Sequence, residues 1–312
     1  MEFRTKVPVK QEDSQIAYTS KVLLVGSCFV ENIGMKLDYY RFPCMMNPFG
    51  ILFNPAAIER FLKRVGEAYQ YDESDVFYHN ESWHCLEAHS ALSSPVKREL
   101  LDSLNTAIIH TRTFLAEATH VIVTPGTAWA YRHLQSGQKV ANCHKVPQEH
   151  FRKELLDPAK YMAGIVREIR TLNPEVKVIF TISPVRHLRD GFVENQRSKA
   201  RLISAIQDLL EEDRSLGYFP SYEILMDELR DYRFYGADMI HPSEVAVKYI
   251  WERFRDCWIN PDSLEVMDLV EKIQKGRRHV PFHPEREGHQ RFLRRLEELE
   301  KEVRRKVPGI SL

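Results

Sequence analysis

Three short apolar runs constrain this chain more than anything else in it. They are Val22-Leu23-Leu24-Val25, Val121-Ile122-Val123-Thr124 and Val178-Ile179-Phe180-Thr181-Ile182, and each stops at a glycine or proline: Gly26, Pro125-Gly126 and Ser183-Pro184. A strand that is apolar at almost every position has no solvent face, so it belongs in a sheet covered on both sides, and such sheets are parallel. Parallel neighbours need long crossovers, normally helices. Amphipathic stretches supply them, with helices expected over residues 30–37, 55–65, 95–116, 151–172 and about 197–211, and a closing helix over 243–257. Strands alternating with helices predict a doubly wound α/β sheet.

Smaller features fit between these elements. Residues 42–50 read as a short strand ending in an Asn-Pro turn, and residues 218–225 as a last strand. A hairpin is expected over 76–90 with its turn at Asn80-Glu81, and a second one inside an insertion at 129–147, turning at Ser136-Gly137. From about Asn260 no further strand is expected. Charges become dense there, and Phe292, Leu296, Leu299 and Val303 form a two-heptad apolar seam. The seam suits a helix that packs back on the body of the chain, with a dimerisation arm (a homodimer through this helix) as the alternative. The expected division is therefore an α/β domain over 1–259 and a charged helical extension over 260–312.

At 312 residues the chain is long enough for one large core. Lysine plus arginine equals aspartate plus glutamate, 44 each, so no global field favours nucleic acid or an anionic membrane. Residues 1–20 are polar and lack the apolar core of a signal peptide, and no run approaches the roughly 20 apolar residues of a membrane span. The five cysteines are scattered and odd in number, as expected of free thiols in a reducing compartment. The expectation is a soluble, cytoplasmic protein. His79, His84, Cys85 and His89 match no zinc spacing, and on a strand His84 and Cys85 face opposite sides, so neither metal nor other cofactor is called for.

Two stretches carry chemistry. Gly26-Ser27-Cys28 sits where the first strand hands over to a helix, at the sheet edge where open α/β folds bind ligands. Ser27 is placed to cap that helix. Far downstream, Asp238 and His241 are three residues apart. There the carboxylate can fix one imidazole nitrogen while the other faces a nucleophile. A working triad needs a His241 nitrogen within about 4 Å of Ser27 Oγ or Cys28 Sγ.

A nucleophile near the N-terminus followed by Asp-x-x-His before the last helix resembles the SGNH (GDSL-like) hydrolases. Gly26-Ser27-Cys28-Phe29-Val30 more closely resembles the signature of the GSCFA family, with Val30 in place of the final alanine. Asn47-Pro48-Phe49-Gly50, Gly126-Thr127-Ala128-Trp129, Ser183-Pro184-Val185-Arg186-His187 and the stretch from Asp238 to Ser243 are similar to that family's other motifs. The resemblance covers roughly 22–258 and the tail through 279–292. It implies a flavodoxin-like α/β/α sandwich with a central parallel sheet, SGNH hydrolase-like, and a helical C-terminal tail. It also implies cleavage of an ester, O-acyl or O-acetyl, on a small molecule or carbohydrate.

Laying Gly26 on the glycine of the SGNH Gly-Asp-Ser motif puts Cys28 in the nucleophile's place and Ser27 in that of the aspartate. Either could serve, and a thiol at a helix N-terminus beside an imidazole is expected to have a lowered pKa. By analogy the oxyanion donors are the nucleophile's own N–H and that of Gly50. The usual Gly-x-Asn-Asp motif is absent. Gly126 leads into Thr127, whose hydroxyl, or Asn142, would have to stand in for the missing asparagine. His89, Arg186 and His187 are expected at the rim as substrate contacts. Two alternatives stay open beside the hydrolase: a non-catalytic module binding a carbohydrate or acylated ligand, and an acyltransferase on the same fold.

Overall fold

The computed structural model describes residues 4–282 and 285–312. Residues 1–3, at the head of the polar N-terminal segment, and 283–284, inside the tail stretch 279–292, lie outside the described residues. The three apolar runs are the middle of one sheet. Five strands, β1 (Val22–Gly26), β2 (Cys44–Met46), β5 (His120–Thr124), β9 (Lys177–Thr181) and β10 (Gly217–Phe219), lie in the order β10-β9-β5-β1-β2, and every pairing is parallel. Taken in sequence order within the sheet this is the 2-1-3-4-5 arrangement, whose connections reverse direction between β1 and β5.

Alternation within each run shows why it is apolar throughout. Leu23, Val25, Val121, Val123, Val178 and Phe180 face one layer, which contains α2 (Pro55–Gly66), α3 (Lys97–Ala116), α4 (Pro158–Leu172) and α5 (Phe192–Glu212). Val22, Leu24, Ile122 and Ile179 face the other, built from α1 (Cys28–Tyr39) and α6 (Glu244–Trp258) with Phe254 and Trp258. Both faces are dry, as the continuous runs require.

Two antiparallel additions stand outside the sheet. Strands β3 (Val76–His79) and β4 (Ser82–Cys85) form the expected hairpin, with Asn80 and Glu81 at positive φ in its turn. The insertion is larger than expected. Strands β6 (Trp129–His133) and β7 (Lys139–Val140) pair as a hairpin, but β6 also pairs with β8 (Phe151–Leu155). The helix expected over 151–172 therefore begins only at Pro158, after an Asp157 cap. A second correction falls on 218–225. The strand ends at Phe219, and Pro220, which has no N–H for a ladder, leads into a helical turn at Ser221–Glu223 and a π-helical turn at Ile224–Glu228.

After α6 the chain forms a helical hairpin, α7 (Leu264–Arg277) and α8 (Glu287–Lys306). Of the seam residues, Leu296 and Val303 are buried and Phe292 and Leu299 half-buried. Val303 joins Val266, Leu269, Val270 and Ile273 of α7, and Leu296 closes over Gly276, so α8 folds back on its own chain. Among the described residues no helix is long and apolar enough to cross a membrane.

Candidate functional site

The strand order reverses between β1 and β5, the place where open α/β sheets bind ligands, and the sequence places glycines at the C-terminal ends of both strands. Gly26 ends β1 at φ 140°, and a Cβ there would lie 2.3 Å from the Thr124 oxygen of β5. Only glycine lets the two strands stay in register to their last residue. Just past the end of β5, a Cβ on Gly126 would lie 2.8 Å from His187 Nε2 and 3.2 Å from Ser27 Cβ. Ser27, Gly126 and His187 therefore meet at one point, drawn from three separate strand ends.

Ser27 occupies the N-cap position of α1, but its side chain makes no capping bond. It is fully buried, and its Oγ has no hydrogen-bond partner among the described residues. His187 Nε2 is likewise buried and unpartnered. Its ring packs edge-on to Phe53 at 5.3 Å between centroids. Burial, then Lys199, then His241 pull the His187 pKa down to about 3, so this imidazole is neutral and offers an anionic substrate no charge.

Cys28, the first residue of α1, is only half-buried. Its thiol is pushed up, not down as the sequence suggested. Burial is the largest cause and Glu31 the next, while the N–H groups of Cys28 and Phe29 and the charge of Lys199 oppose them. The expected imidazole beside the sulfur is absent from that balance. Lys199, on α5, is fully buried. Its Nζ donates to the carbonyl oxygens of Gly126 at 2.7 Å and Ser183 at 2.6 Å, where β5 and β9 end. Burial lowers its pKa to about 7, opposed by the Cys28 thiol.

Asp238 and His241 form the expected pair. Asp238 Oδ2 accepts from His241 Nδ1 at 2.6 Å, and Oδ1 accepts the N–H groups of Ile240 at 2.9 Å and His241 at 3.0 Å. These donors hold the carboxyl down to about 2, led by the His241 N–H. Nε2 of His241 has no partner among the described residues. The pair is half-exposed, at 47% and 55% of the side chain, and its ring makes no hydrogen bond to Ser27 or Cys28. Contacts nevertheless link the two halves. The Arg186 guanidinium lies 5.5 Å from the ring of Tyr235, Tyr235 bridges to Pro242, and Gly236 N–H donates to His241 O at 2.7 Å.

Most of the expected oxyanion donors are committed elsewhere. Gly50 N–H donates to Asn47 O at 2.7 Å, closing a turn. The Thr127 hydroxyl bonds Ser198 Oγ at 3.0 Å and accepts Trp129 N–H at 3.1 Å. The N–H groups of Gly126 and Thr127 both reach Phe53 O. Asn142 Oδ1 accepts His144 N–H at 2.8 Å, which leaves its Nδ2 donors without a partner among the described residues. The main-chain N–H of Cys28 also remains, at the positive end of α1. Asn47, which sequence reasoning passed over, ties the rim together by accepting Gly26 N–H at 2.9 Å and donating to Glu31 at 3.1 Å.

His89 lies behind this turn with its ring against Gly50, and burial lowers its pKa. Beyond His187, a cleft of about 490 Å³ runs beneath the β6–β8 insertion, lined by Phe53, Thr127, Trp129, Asn142, His144 and Arg189 among others. His187 stands between that cleft and Ser27. A cavity of about 1080 Å³ opens elsewhere, between the N-terminal segment and residues 227–234. Its buried carboxylate, Glu228, already accepts Val7 N–H and the Tyr249 hydroxyl. No group of three or more metal-ligating side chains comes together among the described residues.

Comparison with known proteins finds two family matches. A model described as GSCFA family matches residues 21–254, and one described as GSCFA domain protein, C-terminal domain, matches residues 270–312. No curated protein matches the chain. Among solved structures, a Clostridium thermocellum family 3 carbohydrate esterase is similar at 10% identity and a TM-score of 0.38. That match covers 80% of this chain and 97% of the other, and a likeness so distant carries no functional weight.

Proposed function

The chain belongs to the GSCFA family, and from that premise we propose that it is an ester hydrolase of the SGNH type working through Cys28, His241 and Asp238. The observation that carries the reading is the Asp238–His241 pair. A carboxylate 2.6 Å from Nδ1 fixes the tautomer that keeps Nε2 unprotonated and able to take a proton. Cys28 is preferred to Ser27 as the nucleophile because it is reachable, whereas Ser27 Oγ is sealed beneath Gly126 and His187.

In this reading the thiol is protonated at rest, since burial and Glu31 disfavour the thiolate. His241 Nε2 takes the thiol proton as sulfur adds to the ester carbonyl, and the oxyanion forms against the Cys28 N–H at the helix N-terminus. The imidazolium returns the proton to the departing alkoxide, leaving a thioester. Water, activated by the same imidazole, then releases the acid and restores the thiol. The step requires His241 to close on Cys28 when substrate binds, because no hydrogen bond joins them beforehand.

One set of observations favours a second reading, a module that binds an acylated ligand without turnover. The Gly50 N–H and Thr127 hydroxyl are engaged in internal bonds, which leaves the N–H groups at the start of α1 as the main-chain donors for the oxyanion. The deciding experiment is hydrolysis of short-chain aryl esters by wild type, Cys28→Ala, Ser27→Ala and His241→Ala. The hydrolase reading expects loss in the first and third variants and retention in the second. Equal rates in wild type and His241→Ala would remove it.

A further inference from the structure

Ser90 and His144 have no part in the chemistry above, yet they meet in the cleft beneath the β6–β8 insertion, which both of them line. Ser90 opens the short turn after His89 and is exposed, whereas His144 sits in the loop after β7 and is buried. Although 54 residues separate them, Ser90 Oγ lies 3.3 Å from His144 Nδ1. On the other side of the ring, Nε2 lies 2.7 Å from the carbonyl oxygen of Cys85, at the end of β4. A carbonyl can only accept, so Nε2 carries the proton of the neutral imidazole. Nδ1 is then bare, and the serine hydroxyl donates to it. A hydroxyl, an unprotonated ring nitrogen and an acceptor that fixes the tautomer are the parts of an activated nucleophile. A main-chain carbonyl here takes the place of the usual carboxylate. The loop holds the ring in position: Asn142 Oδ1 accepts the His144 N–H at 2.8 Å, and Val146 N–H donates to Cys143 O at 2.9 Å.

We propose that Ser90 and His144 form a second nucleophile–base pair, separate from Cys28, which takes an acyl group from an activated donor such as an aryl ester or a thioester. His144 Nδ1 accepts the hydroxyl proton as Ser90 Oγ adds to the acyl carbonyl. The bond from that carbon to the leaving oxygen or sulfur then breaks, the leaving group departs with the proton, and the acyl group stays as a serine ester. The donor must be activated because the base is weak. Burial is the largest cause of a His144 pKa of about 4; His84 and His89 add to it, and main-chain bonds at Cys85 and Ala88 oppose it. His84 of β4 and Phe77 of β3 pack against the ring, with centroids at 4.6 and 5.9 Å. Release by water relies on the same weak base, so the pair is read by a single acylation and not by turnover.

Ser93 is a built-in control. Its Oγ lies 2.6 Å from His84 Nδ1, and His84 Nε2 lies 2.9 Å from His79 O, but Ser93 is not among the residues that line the cleft. The test is p-nitrophenyl acetate added to the Cys28→Ala protein, with acetylated residues located by peptide mass spectrometry. Without Cys28 the outcome is independent of the hydrolase proposed above, and either can fail alone. Ser90 should be acetylated at least about tenfold faster than Ser93. His144→Asn, which tolerates the positive φ of 49° at that position, should slow Ser90 by about tenfold or more. Equal labelling of the two serines, or an unchanged Ser90 rate in a folded His144→Asn protein, would overturn the proposal. Should that variant fail to fold, the pH profile decides. Acetylation of Ser90 should be level from about pH 7 to about 5 and fall about tenfold per unit below about 4, as Nδ1 gains a proton. A rate that climbs in proportion to hydroxide over the level range would overturn the proposal as well.

Discussion

The two halves of the proposed site are built in opposite ways. The β1–α1 turn is held from all sides: β5 registers against it to Gly26, Asn47 clamps the Gly26 N–H, and Ser27 has no exposure at all. The Asp238–His241 turn is held mainly by itself. Asp238 takes three hydrogen bonds from residues two and three positions on, and about half of each side chain faces solvent. One half is thus placed by non-local packing and the other by a local turn tethered through Tyr235 and Pro242. Precision resides in the nucleophile turn and adjustability in the imidazole turn. Closure on substrate should then move His241 and leave Cys28 where it is.

The largest expected effect tests the division of chemistry. Cys28→Ala should lower aryl-ester turnover by at least about 10³-fold with the melting temperature nearly unchanged. His241→Ala comes next. It should cost about 10²- to 10⁴-fold in rate, as for loss of a general base, and change stability by no more than about 0.5 kcal/mol because the side chain is exposed. A large drop in melting temperature in that variant would mean that the turn is not the self-contained unit described.

Gly126→Ala attacks the packed half instead. The new methyl would press on His187 Nε2 and Ser27 Cβ, and overpacking of this kind typically destabilises by about 1–3 kcal/mol in urea titrations. Ser27→Ala sharpens the contrast with a small effect of the opposite sign. It removes a buried hydroxyl without a partner, so stability should hold or rise by up to about 1 kcal/mol while activity persists. Loss of activity in Ser27→Ala would move the nucleophile to Ser27.

The smallest effect is a pH dependence. The Asp238 pKa is depressed to about 2 from an ordinary value near 4, so the turn's stabilisation is fully present above about pH 4 and lost as pH falls through about 2. A carboxyl NMR titration that places the Asp238 midpoint near 4 would show the turn to be open in solution.

Whatever rested on short-range pattern was legible from sequence. The dry runs 22–25, 121–124 and 178–182 announced the parallel sheet, and the three-residue spacing of Asp238 and His241 announced their bond. What rested on distant partners was not. Residues 151–155 continue the apolar spacing of α4, and only pairing with β6, more than twenty residues earlier, makes them a strand. Ser27 looked like a helix cap because nothing local shows that β5 and His187 close over it. The rise in the Cys28 pKa has the same origin, since burial is a property of the assembled fold. Lys199 did leave a signal. On a helix, 195, 198, 199, 202 and 206 share one side, so an apolar stripe through Leu202 and Ile206 carries a lysine in its middle. A charge on the dry face of a helix needs a reason.

The strand order also sets a schedule during synthesis. Cys28 leaves the ribosome early, but its inner neighbour β5 pairs Val22 with His120, and His241 follows Cys28 by 213 residues (241 minus 28). At the usual 5–20 residues per second that gap lasts roughly 10–40 s. For the first part of it, until residues 120–124 emerge, the helix bearing the thiol has no β5 to dock against. The nascent thiol has its ordinary pKa and full exposure, and it is more open to oxidants than it will be once α5 has covered the strand ends.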